Sequence, residues 1–154
     1  MKLTQEQTME ENLILQLSQG PSQWTYREDL RTEEDLWANF KNILEFNNLA
    51  VLEGIPLTNQ EFQQISFANF YDGAVFLRGE NGKSKVSVQR EDASLGTIHL
   101  DVINSRDIAG GTSTYEVINQ FQSPKADSKG RDRRFDLSLL INGIPLIHIE
   151  LKSP

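Results

Sequence analysis

The apolar residues of this 154-residue chain change their spacing at about Asp72, and this change constrains the fold more than any other feature. Before Asp72 they recur at intervals of three and four residues, which is the spacing of a helix buried along one side. After Asp72 they alternate with polar residues, as in strands with one buried face. Helices followed by strands are typical of an α+β domain, so we expect a mixed β-sheet flanked by helices.

Three helices are predicted before Asp72, and each begins at a threonine that can cap it. The capping pairs are Thr4 with Gln7, Thr32 with Asp35, and Thr58 with Glu61. The apolar faces hold Met9, Leu13 and Leu17 in the first helix, Leu36, Phe40, Ile43 and Leu44 in the second, and Phe62, Ile65 and Phe70 in the third. The strands are predicted at AVFLR and KVSVQ, which an Asn81-Gly82 turn joins, at TIHLDVI, at YEVINQF, and in a final hairpin.

Composition and charge limit the classes of function. The chain has no cysteine, which excludes disulfides and thiolate metal sites. Its net charge of −7 argues against a general nucleic-acid binder. The charge is uneven, however, because residues 1–72 carry twelve acids and four bases, whereas residues 73–154 carry ten acids and eleven bases. With a polar, acidic start and no apolar stretch of bilayer length, a cytoplasmic protein without membrane contact is expected.

A basic segment, KADSKGRDRR, precedes the final hairpin. Two acids accompany its five bases, which are Lys125, Lys129, Arg131, Arg133 and Arg134. Such a segment can hold a nucleic-acid backbone through charge, without reading the base sequence. An ordinary solvated loop can be equally basic, and charge alone does not decide between the two interpretations.

Burial constrains the register of the final hairpin, RRFDLSLLINGIPLIHIELKSP. In both strands, Arg134–Ile141 and Ile144–Lys152, apolar residues occupy the odd-numbered positions. Facing residues of an antiparallel pair point to the same side of the sheet, so burial requires odd to pair with odd. A tight Asn142-Gly143 turn alone would pair odd with even. A three-residue loop with Gly143 left-handed, or a bulge near Pro145, would restore the expected register.

That register places four polar residues on one face, namely Asp136, His148, Glu150 and Lys152. Asp136 would lie opposite or nearly opposite His148 and diagonal to Glu150. Diagonal Cβ atoms lie roughly 7–8 Å apart, close enough for two carboxylates to hold one divalent ion. The carboxylates and the Leu151 carbonyl are hard oxygen donors, which favour Mg²⁺ or Mn²⁺. Lys152 would lie beside the ion and orient or deprotonate a water, or neutralise a phosphate. A solvated strand face produces the same alternation, so the pattern alone leaves that alternative open.

Asp136 followed by Glu150-Leu151-Lys152 resembles the pattern of PD-(D/E)xK nucleases. The whole hairpin resembles the nuclease motif of the R subunit of type I restriction enzymes, where an RR-x-D strand leads to NG-x-P and to a strand ending in IELK. Segments elsewhere resemble the same family, namely MEENLILQL, LTNQEF, VQREDASLGTIHLDVIN and GGTSTYEVINQ. The resemblance covers nearly the whole chain and implies a PD-(D/E)xK nuclease-like fold.

The resemblance also implies the chemistry, a Mg²⁺-dependent endonuclease domain that hydrolyses DNA phosphodiesters, with Mn²⁺ as a substitute. Asp136 and Glu150 would ligate the metal together with the Leu151 carbonyl, and Lys152 would assist the attacking water. The basic segment would contact the DNA backbone.

A glutamate of the opening helix would support the metal in such a nuclease. Glu10 aligns best with that glutamate, and Glu11 is the alternative.

Two features of the family lie beyond this sequence, a QxxxY pattern after the Glu-x-Lys and a set of ATP-driven translocase domains. We therefore expect residues 1–154 to form a single N-terminal endonuclease domain, truncated at its C-terminal end and weak or inactive alone. The resemblance further implies double-stranded DNA as substrate and separate methyltransferase and specificity subunits as partners. ATP would be used by the missing domains.

Two alternatives follow from the sequence alone. A non-enzymatic protein-interaction domain would use the polar hairpin face and the basic segment to bind a partner, and it predicts no divalent-ion binding. A nuclease fold whose site is dormant outside a complex predicts a formed site without cleavage.

Overall fold

The computed structural model describes residues 4–19, 24–65, 83–104, 113–123 and 133–152. The chain forms two compact units, residues 1–37 with 115–154 and residues 38–114. None of the helices within the described ranges has the length and apolarity needed to cross a membrane.

The helices and strands that were predicted and that lie within the described ranges follow one another in the predicted order. The helices are α1 (Gln5–Gln19), α2 (Glu33–Asn47), α3 (Leu49–Leu52) and α4 (Asn59–Phe62), with a short 3₁₀ turn at Ala93–Leu95. The strands are β1 (Thr25–Tyr26), β2 (Lys83–Gln89), β3 (Thr97–Asn104), β4 (Tyr115–Ser123), β5 (Arg133–Ile141) and β6 (Ile144–Ile149). The α+β class with a mixed sheet is confirmed. The two-residue β1 and the one-turn α3 were not predicted.

All three predicted helix caps are present. The Thr4 N–H donates to Gln7 Oε1 at 2.9 Å, and the Gln7 N–H donates to Thr4 Oγ1 at 3.1 Å. The pairs at the starts of α2 and α4 make the same reciprocal hydrogen bonds, at 2.8–3.1 Å. Each pair satisfies two backbone N–H groups that a helix start would otherwise leave unpaired, which explains why the helices begin where they do.

The first unit is built on a four-stranded mixed sheet of order β1-β4-β5-β6. β1 runs parallel to β4, and the other neighbouring strands are antiparallel. One face of this sheet packs against α1. The buried centre of that contact is Ile14, Val117, Leu137 and Leu139, and the partly buried residues around it are Leu13, Leu17, Trp24, Tyr26, Ile149 and Leu151. This packing sets α1 beside β5, which carries Asp136, and beside β6, which Glu150 and Lys152 follow.

The second unit contains the β2-β3 antiparallel pair together with α3 and α4. KVSVQ and TIHLDVI form these two strands as predicted, whereas AVFLR and the Asn81-Gly82 turn lie outside the described residues. Buried Asn48 joins the end of α2 to β3, because its side chain bonds both the N–H and the carbonyl of Asp101 at 2.8 and 2.9 Å. The third predicted helix is a single turn, α4; Ile65 is buried just beyond it, and Phe70 is outside the described ranges.

The final hairpin closes with a two-residue turn, Asn142-Gly143, in which both residues have positive φ angles of 52° and 84°. Such a turn matches the twist of the flanking strands. Leu140 pairs with Pro145 and Leu139 pairs with Ile147, so Leu146 is an extra residue in a β-bulge. Beyond the bulge odd pairs with odd, which confirms the predicted register through the bulge alternative.

Candidate active site

The bulge changes which residue faces Asp136. His148 pairs with Ser138, and the Ser138 Oγ lies 2.9 Å from His148 Nδ1. Leu137 pairs with Ile149, so the next position along the two chains holds Asp136 and Glu150. The expectation that Asp136 lies opposite or nearly opposite His148 and diagonal to Glu150 is therefore wrong on both counts. A three-residue loop would have produced that pairing, whereas the tight turn with a bulge shifts β6 by two residues.

One hydrogen bond ties the Glu-Leu-Lys segment to β5. The Leu151 N–H donates to Asp136 Oδ2 at 2.6 Å, which is at the short end for a bond from a backbone N–H. Glu150 and Lys152, on either side of Leu151, are exposed, and Asp136 is half-buried. The structure thus brings together the three residues predicted to be catalytic at one end of the hairpin.

Glu10 lies against the sheet from the α1 side. Its side chain is buried, at 8% exposure, and both oxygens accept hydrogen bonds from amide groups of β4. Asn119 Nδ2 donates to Oε1 at 2.7 Å, and Gln120 Nε2 donates to Oε2 at 2.8 Å. Glu11 is exposed on the same helix. Of the two candidate helix glutamates, the structure therefore places Glu10 at the site.

Gln120 connects the Glu10 and Asp136 carboxylates. Pairing of Asn119 with Leu137 and of Phe121 with Phe135 leaves Gln120 across from Asp136. The Gln120 Nε2 that donates to Glu10 is also 3.5 Å from Asp136 Oδ1, a long contact. The site is therefore a chain of contacts that runs from α1 through β4 to β5 and then to Leu151.

The Asn119 amide has its orientation set by donors on its other side. The Tyr26 hydroxyl donates to Asn119 Oδ1 at 2.8 Å, and Arg31 Nη1 lies 3.3 Å from the same oxygen. Arg31 also donates to the Asn119 carbonyl at 3.2 Å. Because the arginine can only donate, the amide oxygen must face it, and the amide nitrogen is left to face Glu10.

An open groove of about 670 Å³ gives access to this network. Its lining includes Glu10, Tyr26, Arg31, Asn119 and Gln120. The Arg31 guanidinium and the Glu10 end of the network therefore lie at the same surface. A polar ligand could therefore reach Glu10 and Gln120 from this side.

The donors at the site suit a hard divalent cation. Within the described ranges, no three acidic or histidine side chains are close enough to hold a metal ion by themselves. A cation at Asp136 and Glu150 would thus need backbone carbonyl oxygens, such as that of Leu151, and waters to complete its shell. Mg²⁺ retains several waters and is commonly held by one or two carboxylates, so the residues fit this metal. Their assignment as ligands stays a prediction.

The predicted DNA-contacting bases are not among the residues whose side chains the structure describes. Lys125, Lys129 and Arg131 lie outside the described residues. Arg133 and Arg134 begin β5, but their side chains lie outside the description. Their role also stays a prediction.

Sequence reasoning missed the polar residues that hold the carboxylates in place, which are Tyr26, Arg31, Asn119 and Gln120. A signal was present in YEVINQF, where two adjacent amides interrupt the apolar alternation of a buried strand. Adjacent strand residues normally point to opposite faces, so both amides can reach one carboxylate only where the strand is irregular.

Comparison with known proteins supplies the family. Residues 4–154 match the family model described as "Type I restriction enzyme R protein N terminus". Type I restriction enzyme endonuclease subunits of Staphylococcus aureus strains COL and MRSA252 are each 31% identical to this chain over 153 residues, or 99% of it. That of Staphylococcus saprophyticus is 31% identical over 127 residues, which is 80% of this chain and 12% of that subunit.

The match extends over nearly all of this chain but over only a small part of each relative. The chain spans about 15% of the length of the two S. aureus subunits. Because the family model covers the chain from residue 4 to residue 154, it includes every residue of the site described above. The chain therefore belongs to the family of type I restriction enzyme R protein N-termini.

Proposed function

We propose that this chain is the DNA endonuclease domain of a type I restriction R subunit and hydrolyses phosphodiester bonds with Mg²⁺. The observation that carries the proposal is the 2.6 Å hydrogen bond from the Leu151 N–H to Asp136, which joins the Asp and the Glu-x-Lys in one site. Family membership supports the class of reaction. The hydrogen bonds that Glu10 accepts from Asn119 and Gln120 support its assignment as the helix glutamate that the resemblance implies.

Asp136 and Glu150 would hold the metal with the Leu151 carbonyl. Asp136 Oδ2 is fixed by the Leu151 N–H, and Oδ1 has a long 3.5 Å contact that leaves it able to bind a cation. When bound, Mg²⁺ would stabilise negative charge on the phosphate as a Lewis acid. The short Asp136 hydrogen bond holds this carboxylate in place before substrate arrives, so little reorganisation is needed during the reaction.

Lys152 and Glu10 would assist from either side. Lys152 is exposed next to the proposed ligands, where its ammonium can orient the attacking water and neutralise charge on the phosphate. Glu10, held by two amides, would support the metal through its network contact with Asp136. Such outer partners fix the geometry of the ligands.

DNA would be held mainly through its backbone. The bases Lys125, Lys129, Arg131, Arg133 and Arg134 would contact phosphates, which provides affinity without sequence information. Recognition of a sequence would then come from methyltransferase and specificity subunits, and ATP would be consumed in other domains of the full subunit. The isolated chain, a cytoplasmic domain in this proposal, would be weakly active or inactive.

Metal binding provides the test. Mn²⁺ is titrated into the isotope-labelled chain, and paramagnetic broadening of the backbone amide signals is recorded for the parent, Asp136→Asn and Asp29→Asn. Asp29 is an exposed aspartate of the same unit and serves as the matched control. We expect selective broadening around Asp136, Glu150 and Leu151 in the parent and in Asp29→Asn, and its loss in Asp136→Asn.

The opposite result would contradict the proposal. A folded parent without localised broadening, or with broadening that Asp136→Asn does not change, has no metal site at these residues. The same samples are assayed for Mn²⁺-dependent nicking of plasmid DNA. Any nicking should disappear in Asp136→Asn, and nicking that persists there would assign cleavage to other residues.

A further inference from the structure

We propose that Gln120 is a positioning residue that holds the Glu10 and Asp136 carboxylates in the arrangement needed for metal binding. The proposal rests on the function proposed above, because it concerns the same site. Its basis is the position of the Gln120 amide, 2.8 Å from Glu10 Oε2 and 3.5 Å from Asp136 Oδ1.

The backbone of Gln120 is the first argument. Its φ angle is +54°, in the left-handed region, although it lies within strand β4 and is not a glycine. Glycine would adopt this conformation without the steric cost that a side chain incurs. Such backbone strain persists where the surrounding contacts hold the residue in place, and it is concentrated at functional sites.

The strained backbone has a direct consequence for the side chains. In a regular strand, Asn119 and Gln120 would point to opposite faces of the sheet. Here both donate to the same carboxylate, that of Glu10, at 2.7 and 2.8 Å. The left-handed residue breaks the alternation, and the resulting irregularity is what places two amide donors beside one buried acid.

Electrostatics supply the second argument. Two carboxylates at close range repel each other, and the repulsion is stronger in a partly buried site than in water. The Gln120 NH₂ group has two hydrogens, one for Glu10 and one directed to Asp136, and it carries no charge of its own. The amide can therefore bridge the two acids and keep both in place before a cation arrives.

The chemistry of the neighbours determines the orientation of the Gln120 amide. A rotated amide would bring its carbonyl oxygen against Glu10 Oε2 and Asp136 Oδ1, where all three atoms are acceptors. The nitrogen must therefore face the acids. On the Glu10 side, Arg31 similarly fixes the amide of Asn119.

Two variants separate the amide from the backbone. Gln120→Gly accepts the positive φ angle but has no amide. Gln120→Asn retains an amide and tolerates the left-handed conformation, but it is one methylene shorter. Gln16→Ala, at an exposed position of α1 in the same unit, is the control. Folding of each variant is checked by the dispersion of its amide spectrum.

The first measurement needs no metal. The Leu151 backbone N–H and the Asn119 side-chain NH₂ report the positions of Asp136 and Glu10, because each donates to one of these acids. We expect both signals to shift in Gln120→Gly, with faster hydrogen exchange at Leu151, smaller changes in Gln120→Asn, and none in Gln16→Ala. If both signals are unchanged in folded Gln120→Gly, the positioning role is refuted.

The second measurement is the Mn²⁺ dissociation constant at Asp136. We expect it to rise roughly tenfold in Gln120→Gly, as is common when a residue that orients metal ligands is lost. Shifted signals with unchanged Mn²⁺ affinity would overturn the proposal, since Gln120 would then be merely structural. A parent that binds no Mn²⁺ at Asp136 would refute the proposed function instead, and the metal-free signals would still decide whether Gln120 positions the two acids.

Discussion

The N–H of Leu151 donates to Asp136 Oδ2 across 2.6 Å, two residues after β6 has ended at Ile149. The carboxylate therefore serves as a backbone acceptor that extends the contact between the last two strands. It is also the proposed metal ligand, so a substitution at this position acts on local structure and on chemistry together. The two effects can be separated by comparing variants with and without an acceptor oxygen.

Asp136→Ala is expected to lower the free energy of unfolding by about 1–3 kcal/mol, because the Leu151 N–H loses its acceptor. Asp136→Asn retains an acceptor oxygen at this place, so its free energy of unfolding should fall by less than about 1 kcal/mol. Urea denaturation followed by circular dichroism measures both values. Equal losses in the two variants would mean that the hydrogen bond contributes little to stability.

The hairpin shows how far burial alone determines a register. Apolar residues at odd positions in both strands required odd to pair with odd, and the structure has this pairing at Leu137–Ile149 and Leu139–Ile147. Burial is satisfied equally by a longer loop and by a bulge, so it could not decide between them. The choice of a bulge at Leu146 determines that Glu150, rather than His148, follows in register with Asp136.

The network around Glu10 depends on geometry that no sequence pattern specifies. The helix caps could be predicted because each involves residues three apart, whose contact is local. Gln120 and Glu10 are 110 residues apart in the sequence, and their contact requires a left-handed residue within a strand. Strand propensity gives no indication of such a residue, and β1, at two residues, is too short for an alternation to be visible.

Arg27 is expected to stabilise the parallel β1-β4 pair through the buried Glu116. The guanidinium forms an ion pair with Glu116, whose side chain is 4% exposed, and with exposed Asp29 at 2.8 Å. Arg27→Gln leaves a buried carboxylate without this partner, and we expect a loss of about 1–3 kcal/mol in the free energy of unfolding. Urea denaturation of the parent and of Arg27→Gln measures this loss.

Asp29→Asn is the matched control for Arg27→Gln. It removes the exposed partner of Arg27 and leaves the pair with Glu116 in place, so its effect should be clearly smaller. A loss in Asp29→Asn as large as that in Arg27→Gln would show that the exposed pair, and not burial of Glu116, stabilises this edge.

Glu61 holds the second unit together through a buried ion pair with Arg90, at 3.1 Å, with side-chain exposures of 2% and 3%. Its carboxylate also accepts hydrogen bonds from the N–H groups of Thr58 and Glu91, both at 2.8 Å. Glu61→Gln removes the charge but keeps the shape, and leaves the guanidinium buried without its counter-ion. We expect a loss of about 3 kcal/mol in the free energy of unfolding. Glu28→Gln, at an exposed position, should change it by less than about 0.5 kcal/mol.

The same residue predicts how stability depends on pH. Burial opposes ionisation of Glu61, but the N–H groups of Thr58 and Glu91 and the Arg90 charge outweigh it and hold its pKa below the ordinary value of 4.5. The unfolded chain therefore takes up a proton at higher pH than the folded chain does. The stabilisation by the Glu61 charge is complete above pH 4.5, and it is lost as the pH falls through the lowered pKa. Urea denaturation of the parent and of Glu61→Gln, from about pH 7 to about pH 3, should show the difference between them narrowing in acid. A difference that stays constant over this range would mean that the Glu61 charge does not contribute to folding stability.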